Sequence, residues 1–184
     1  MCVRIADADN PWSGQVLPPG ESGLLLVRGP NIMLGYLNQP QKTAEVLRDG
    51  WYNTGDMAVL DEDGFLQITG RLNRFSKIGG EMVPHLKIEE RLQELAGVAE
   101  VAFVVLGLPD EKKGERLVVL HKISEEKLPA LLEGLAACDL PNLWKPKADA
   151  FFRVDHFPAL GTGKLDLRGL KELAEKLAVM SEKS

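Results

Sequence analysis

Three stretches hold side chains that can act on a phosphate or a carboxylate. In "GWYNTGD" (Gly50–Asp56) the carboxylate of Asp56 follows Thr54 and Gly55. Its two oxygens can accept hydrogen bonds from a vicinal diol, as in ribose recognition. The same residue could instead cap the amides of its own turn. In "GRLNRFSKIGGEMVPHLKIEERL" (Gly70–Leu92), Arg71, Arg74 and Lys77 precede the pair Gly79-Gly80. A backbone without Cβ atoms lets a narrow ligand approach closely; a linker with solvated charges is the simpler alternative. In "FPALGTGKLDLRGL" (Phe157–Leu170), Lys164 sits on a glycine-rich loop ahead of a leucine-spaced tail. Its ammonium can neutralise charge growing on a phosphate or carboxylate oxygen, or be a solvated surface charge. A lysine at a helix start opposes the macrodipole, a small conflict that points to a functional cause. The GxxxxGK[ST] spacing of a Walker loop is missing, and neither a G-x-S-x-G elbow nor a Cys/His signature occurs. His85, His121 and His156 are scattered and read as structural or surface residues.

The elements that must position these residues change character along the chain. Up to about Gly70 the sequence predicts short strands: "GLLLVRGP" (Gly23–Pro30), and a hairpin over Met57–Gly70 turning at Asp63-Gly64. A turn or two of helix fits around Lys42 to Leu47. From there the rhythm alternates. Leu86–Leu95 carries an amphipathic stripe (Ile88, Leu92, Leu95), and Val98–Pro109 and Arg116–Ile123 read as strands joined by a solvated loop, "PDEKKGE". A helix through Leu128, Leu131, Leu132 and Leu135 tolerates Pro129 in its first turn. "ADAFFRVDHF" reads as a strand, and Asp166 as the cap of a last helix. The expected class is α+β: a β-rich N-terminal piece, then a small α/β domain with a short sheet and flanking helices, the boundary falling near Gly70 to Arg74.

With 184 residues, 45% of them hydrophobic and 27% charged, the chain can bury a real core. A formal charge of −5 gives no case for nucleic acid, whose binding needs a cationic footprint. Cys2 and Cys138 form no ligand cluster, which gives no support for a metal and fits a reducing, cytoplasmic setting. No apolar run approaches the roughly 20 residues that span a bilayer.

The order of the motifs is more specific than any of them alone. A Gly-Leu-Leu-Leu strand is followed by "MLGY", "WYNTGD", "DEDGFLQITGR", "KIGG" and "PALGTGK". From about Gly20 to Leu173 this resembles the C-terminal part of the adenylate-forming superfamily, which includes acyl-CoA synthetases, acyl-carrier-protein synthetases, peptide-synthetase adenylation domains and luciferases. The resemblance implies that Asp56 binds the ribose hydroxyls of an adenylate and that Arg71 contacts the nucleotide. It implies a hinge at Asn73, and a thiol channel lined by Gly79, Gly80, Glu81 and Met82. Lys164 would bridge carboxylate and α-phosphate oxygens during adenylation. Residues 1–71 would then be the final β subdomain of a large AMP-binding domain, and 72–184 the mobile C-terminal domain.

The implied reaction uses ATP and Mg²⁺ to convert a fatty acid to acyl-AMP. Domain rotation then withdraws Lys164 and admits a thiol. The phosphate loop and the acyl pocket of the superfamily do not occur in these residues. The expectation is therefore a piece of a longer enzyme, inactive without an N-terminal AMP-binding domain, whose parent supplies the Mg²⁺ ligands and any contact with the inner membrane. The stretch "KIGGEMVPHLKIEERL" resembles bacterial acyl-acyl-carrier-protein synthetases, including those with 2-acylglycerophosphoethanolamine acyltransferase activity; a fatty acyl-CoA ligase is the alternative. From a different class, a stand-alone module binding a carrier protein or nucleotide stays open. An acidic carrier would need a basic face, for which Lys145, Lys147, Arg153, Arg168 and Lys171 are candidates, with scattered surface charges as the plainer reading. The sequence departs from the superfamily pattern at Asn73, where Asp or Lys is usual, at the Thr/Ser positions before Lys164, and at Lys87, where many members have Glu.

Overall fold

A computed structural model describes residues 1–181. The chain divides into two compact units, the first Met1–Asn73 and the second from Arg74 onward. Residues 182–184, at the end of the expected C-terminal domain, lie outside the described residues.

The first unit is one mixed-register sheet. Its strands are β1 (Cys2–Ala6), β2 (Ser22–Arg28), β3 (Leu47–Arg48), β4 (Trp51–Leu60) and β5 (Leu66–Arg71), with a short helix α1 (Pro40–Val46) ahead of β3. The order is β1-β2-β4-β3, with β5 also pairing β4, and every pairing is antiparallel. The uninterrupted run Leu24–Val27 is buried along its length, as a central strand with both faces covered requires. Ile5, Leu25, Val27 and Ala58 form the core of this unit with Leu17, Ile32 and Leu60 packed against them. The expected hairpin over Met57–Gly70 forms, with Gly64 at φ 84° and Asp61 Oδ1 accepting the Phe65 amide at 2.8 Å.

The second unit is a three-layer sandwich. Strands β6 (Phe75–Ile78), β7 (Glu81–Pro84), β8 (Phe103–Asp110), β9 (Gly114–His121) and β10 (Phe151–Arg153) make one sheet, with helices α2 (His85–Ala96), α3 (Leu128–Ala137) and α4 (Leu167–Ser181). Strand alternation sorts the layers. Phe103, Val105, Leu117 and Val119 face Ile88, Leu92, Leu131 and Leu135 of α2 and α3. Val104, Leu106, Val118 and Leu120 face Leu170, Ala174 and Ala178 of α4. The α+β class expected from the sequence is the fold observed.

Local expectations shift in three places. The strand expected from Val98 begins only at Phe103, because α2 ends at Gly97 (φ 61°) and the chain must first turn back. The strand expected in Ala148–Phe157 shrinks to Phe151–Arg153, which pairs parallel to β9. The solvated loop "PDEKKGE" is mostly ladder: Asp110 pairs with Gly114, and its Oδ1 accepts the Lys112 and Lys113 amides, both at 2.9 Å. Those two bonds hold the Asp110 carboxyl below its ordinary pKa.

Candidate functional site

Asp56 and Arg71 are brought together. They are direct cross-strand partners of β4 and β5, and Arg71 Nε lies 2.7 Å from Asp56 Oδ1. Arg71 Nη1 also donates to the Thr54 carbonyl at 3.2 Å. Asn53–Asp56 lie within strand β4, at a register shift against β2 and not on a turn, and this irregularity does not use the Asp56 carboxylate. Asn53 Oδ1 accepts the Gly55 amide at 2.9 Å, and Thr54 Oγ1 accepts the Asp56 amide at 3.0 Å while donating to the Leu25 carbonyl at 2.9 Å. Capping therefore falls to Asn53 and Thr54, and Asp56 turns its carboxylate toward a guanidinium. The carboxylate is 19% exposed and the arginine 63%, so the pair sits at a surface with one shielded member. Nearby, burial and a hydrogen bond that the Tyr52 hydroxyl shares with Tyr36 in its neutral form push the Tyr52 hydroxyl above its ordinary pKa.

Gly79 and Gly80 form the turn of the β6–β7 hairpin. Ile78 pairs with Glu81 across it, and the glycines take φ 58° and 92°, the geometry of a type I′ turn. This corrects the linker reading of Gly70–Leu92: Gly70 and Arg71 end β5, Phe75–Ile78 and Glu81–Pro84 are strands of the second sheet, His85 starts α2, and the Gly-Gly pair is a hairpin signal. No atom lies within 4 Å of where a Cβ on either glycine would stand, so the turn is open on its outer side. Glu81 is exposed and Met82 half-buried on the returning strand.

Lys164 ends a small hairpin of its own. Ala159 pairs with Leu165, the Leu160 amide donates to the Lys164 carbonyl at 2.8 Å, and the Gly163 amide donates to Leu160 O at 2.8 Å. The glycines thus serve a tight turn (Gly163 φ 79°), and the backbone is more ordered than a free loop, while the lysine side chain is exposed. Asp166 caps α4 as expected, its Oδ1 accepting the Arg168 and Gly169 amides at 3.2 and 3.1 Å. Lys164 and the Gly79–Met82 segment belong to the second unit, and Asp56 and Arg71 to the first.

A family model, "AMP-binding enzyme C-terminal domain", matches residues 87–164, a span running from α2 to the exposed lysine. That match covers less than half of the 184 residues. The surrounding chain is similar to acid–thiol ligases of the adenylate-forming superfamily. It is 38% identical over 159 residues to a feruloyl-CoA synthase of Amycolatopsis sp, covering 83% of this chain and 31% of that protein. It is 37% identical over 163 residues to a long-chain-fatty-acid–CoA ligase of Bacillus subtilis (strain 168), covering 87% of this chain and 28% of that one. The crystal structure of ATP-bound MatB from Rhodopseudomonas palustris superimposes with a TM-score of 0.73 at 28% identity, over 96% of this chain and 34% of MatB. The chain spans about a third of the length of these relatives.

Within the second unit, the structure shows polar residues that sequence reading passed over. Arg74 is not a solvated linker charge. It is 9% exposed and forms an ion pair with Glu89 of α2, itself 9% exposed. Glu89 Oε1 also accepts the Val105 amide of β8 at 2.6 Å. Burial raises the Glu89 carboxyl pKa, against the opposing pull of Arg74 and the amide. His85 is buried, and its Nε2 lies 2.8 Å from Ser76 Oγ. Burial, helped by the charge of Arg74, lowers the His85 pKa to about 3, so the imidazole is neutral. No hydrophobic alternation marks these residues in "RFSKI", since the inward positions are Arg74, Ser76 and Ile78 and two of the three are polar. Of the basic docking candidates, Lys145 is engaged: its Nζ donates to the Ala136 and Cys138 carbonyls, both at 2.9 Å, closing α3. Arg168 pairs with Glu172 at 3.1 Å.

Among the described residues no helix is long and apolar enough to cross a membrane, and no group of three or more His, Cys, Asp or Glu is placed to hold a metal.

Proposed function

We propose that this chain supplies the nucleotide-contacting strand pair and the mobile small domain of an ATP-dependent acid–thiol ligase. The observation that carries the reading is the Asp56–Arg71 pair. The strand geometry presents a carboxylate that caps no amide of its own segment, next to a guanidinium that orients it. A carboxylate of this kind accepts hydrogen bonds from both ribose hydroxyls of an adenylate. The ATP-bound state of MatB supports ATP use.

The chemistry has two halves. A carboxylate oxygen of the substrate, a fatty acid in our reading, attacks the α-phosphorus of ATP; the bond to pyrophosphate breaks and acyl-AMP forms. Lys164, exposed on its hairpin, offsets negative charge on the carboxylate and α-phosphate oxygens in that step. Residues 72–184 then turn about Asn73, withdrawing Lys164 and presenting Gly79, Gly80, Glu81 and Met82. A thiol sulfur attacks the acyl carbonyl, its proton is lost, and AMP leaves. Residues 1–71 act as the last β subdomain of a larger AMP-binding domain, which would hold Mg²⁺ and the acyl pocket.

Coenzyme A is the thiol best supported, because the relatives named are CoA ligases or synthases. A carrier-protein thiol rests on the Gly80–Val83 stretch alone. The test is acyl-adenylate trapping with hydroxylamine, given ATP, Mg²⁺ and palmitate. The chain is assayed alone and mixed with a separately expressed N-terminal part, and Lys164→Ala serves as control. Activity in the mixture only, lost with Lys164→Ala, is the expected result. A folded mixture that stays silent would overturn the ligase reading in favour of a binding module. Supplying CoA or acyl carrier protein to an active mixture then separates the two thiols.

A further inference from the structure

The hairpin that carries Gly79–Met82 is weakly tied to its sheet through the backbone. Strand β6 pairs with β9 at one position, Ile78 with Gly114, and β7 pairs with β6 alone. The Gly79 amide adds one bond, to the Lys113 carbonyl at 2.9 Å. A hairpin with so short a ladder has to be held by side chains. Three pins do so, at Lys77 and Ser76 of β6 and at Arg74 just before it. The Lys77 amide donates to Glu115 Oε2 at 2.6 Å. Ser76 Oγ meets His85 Nε2 at 2.8 Å. Arg74, the first residue of the second unit, is paired with Glu89, which is fixed in turn by the Val105 amide.

The Arg74–Glu89 pair differs from the other two in kind. Both side chains are about nine-tenths buried, and the pair joins the start of β6 to α2 and β8 together. Asn73, one residue earlier, is exposed. The step from a solvated residue to a buried ion pair therefore takes place across one peptide bond. A buried pair is weak evidence for stability, since apolar residues of similar volume often serve as well; fixing one arrangement is its better-attested use.

We infer that Arg74 and Glu89 are positioning residues: they end the mobile linker at Asn73 and hold the Gly79–Met82 hairpin in place for the thiol-transfer half of the reaction. The inference rests on the ligase reading above. It adds an asymmetry that reading does not contain. Lys164 stands on a separate hairpin packed with α4, on the opposite layer from α2. Loosening Arg74 and Glu89 should therefore disturb transfer and leave adenylation alone.

The test uses the full-length ligase with the double substitution Arg74→Met and Glu89→Gln. Gln keeps an acceptor for the Val105 amide, and Met keeps volume, so no buried charge is left alone. Adenylation is read by ATP–pyrophosphate exchange and transfer by thioester formation from acyl-AMP in single turnover. Hydrogen exchange at Phe75–Ile78 is read in parallel. The expected result is a tenfold or greater loss of transfer, pyrophosphate exchange within twofold of the parent, and exchange at Phe75–Ile78 at least tenfold faster. Lys164→Ala should give the reverse split. Equal loss of both half-reactions, or loss of neither, would overturn the positioning role, as would unchanged hydrogen exchange. A parent enzyme that performs no pyrophosphate exchange would instead overturn the ligase reading, so the two failures are distinct. If the double variant does not fold, Arg74→Lys, which keeps both charges and loses the planar fork, is scored by the same split.

Discussion

Arg71 Nε stands 2.7 Å from Asp56 Oδ1 on residues that also face each other across the β4–β5 ladder. Backbone register and side-chain charge thus agree on one geometry, and the carboxylate caps none of the amides of its own strand segment. Because the arginine is 63% exposed, the pair contributes little to stability, on the order of 0–1 kcal/mol. Its value lies in orientation. Arg71→Gln in the full-length ligase should raise the KM for ATP about tenfold, roughly the 1–3 kcal/mol of a charged hydrogen bond, while Tm stays within about 2 °C. A fall in Tm with an unchanged KM would assign the pair to the scaffold.

The His85 ring gives the second unit a pH dependence whose sign follows from its burial. Its pKa falls from 6.5 to about 3 on folding. Below pH 6.5 the unfolded chain takes up a proton that the folded chain refuses. Stability is complete above 6.5 and declines as pH drops toward 3, by up to about 1.4 kcal/mol per pH unit. His85→Gln keeps a partner for Ser76 and removes the titration. Urea unfolding followed by Trp144 fluorescence, with Trp12 and Trp51 replaced by Phe, should show a slope between pH 6 and 4 that is one proton shallower in the variant. Equal slopes would place the titration elsewhere.

The architecture was legible where apolar periodicity decides it. The stripe Ile88, Leu92, Leu95 and the runs that became β8 and β9 each announce an element whose faces are then filled as the pattern requires. Asp56 and Arg71 were legible as types, but their pairing was not, since it depends on the register of a bulged hairpin. Arg74 and Glu89 were missed for a general reason. Two opposite charges 15 residues apart look solvated until a strand and a helix fold over each other. The Gly79-Gly80 hairpin was not legible because a glycine pair allows both close approach of a ligand and the positive φ of a tight turn, and the sequence does not separate the two.

Gly107 marks the tightest packing in the second unit. A Cβ there would stand 2.0 Å from Ser76 Oγ and 2.9 Å from Glu115 Oε1, both of which hold β6. Gly107→Ala should cost about 1–3 kcal/mol through overpacking. Ser76→Ala removes the nearer atom but orphans His85. The double variant should therefore be less unstable than the sum of the singles, with a coupling of at least 1 kcal/mol in a denaturation cycle. Strict additivity would mean that the strands separate to admit the methyl group.

The two turn glycines should respond unequally, although both have positive φ and open space around them. Gly79, at φ 58°, lies in the left-handed region that Asn tolerates, and Gly80, at φ 92°, lies beyond it. Gly79→Asn should be neutral or stabilising by up to about 1 kcal/mol, because it also restricts the unfolded chain. Gly80→Ala should cost about 1–2 kcal/mol from backbone strain alone, since no atom lies near enough to clash. Thermal unfolding of the two variants separates these terms. If Gly80→Ala is harmless, the turn relaxes away from type I′. The hairpin would then owe its shape to the Arg74, Ser76 and Lys77 pins and not to its own turn.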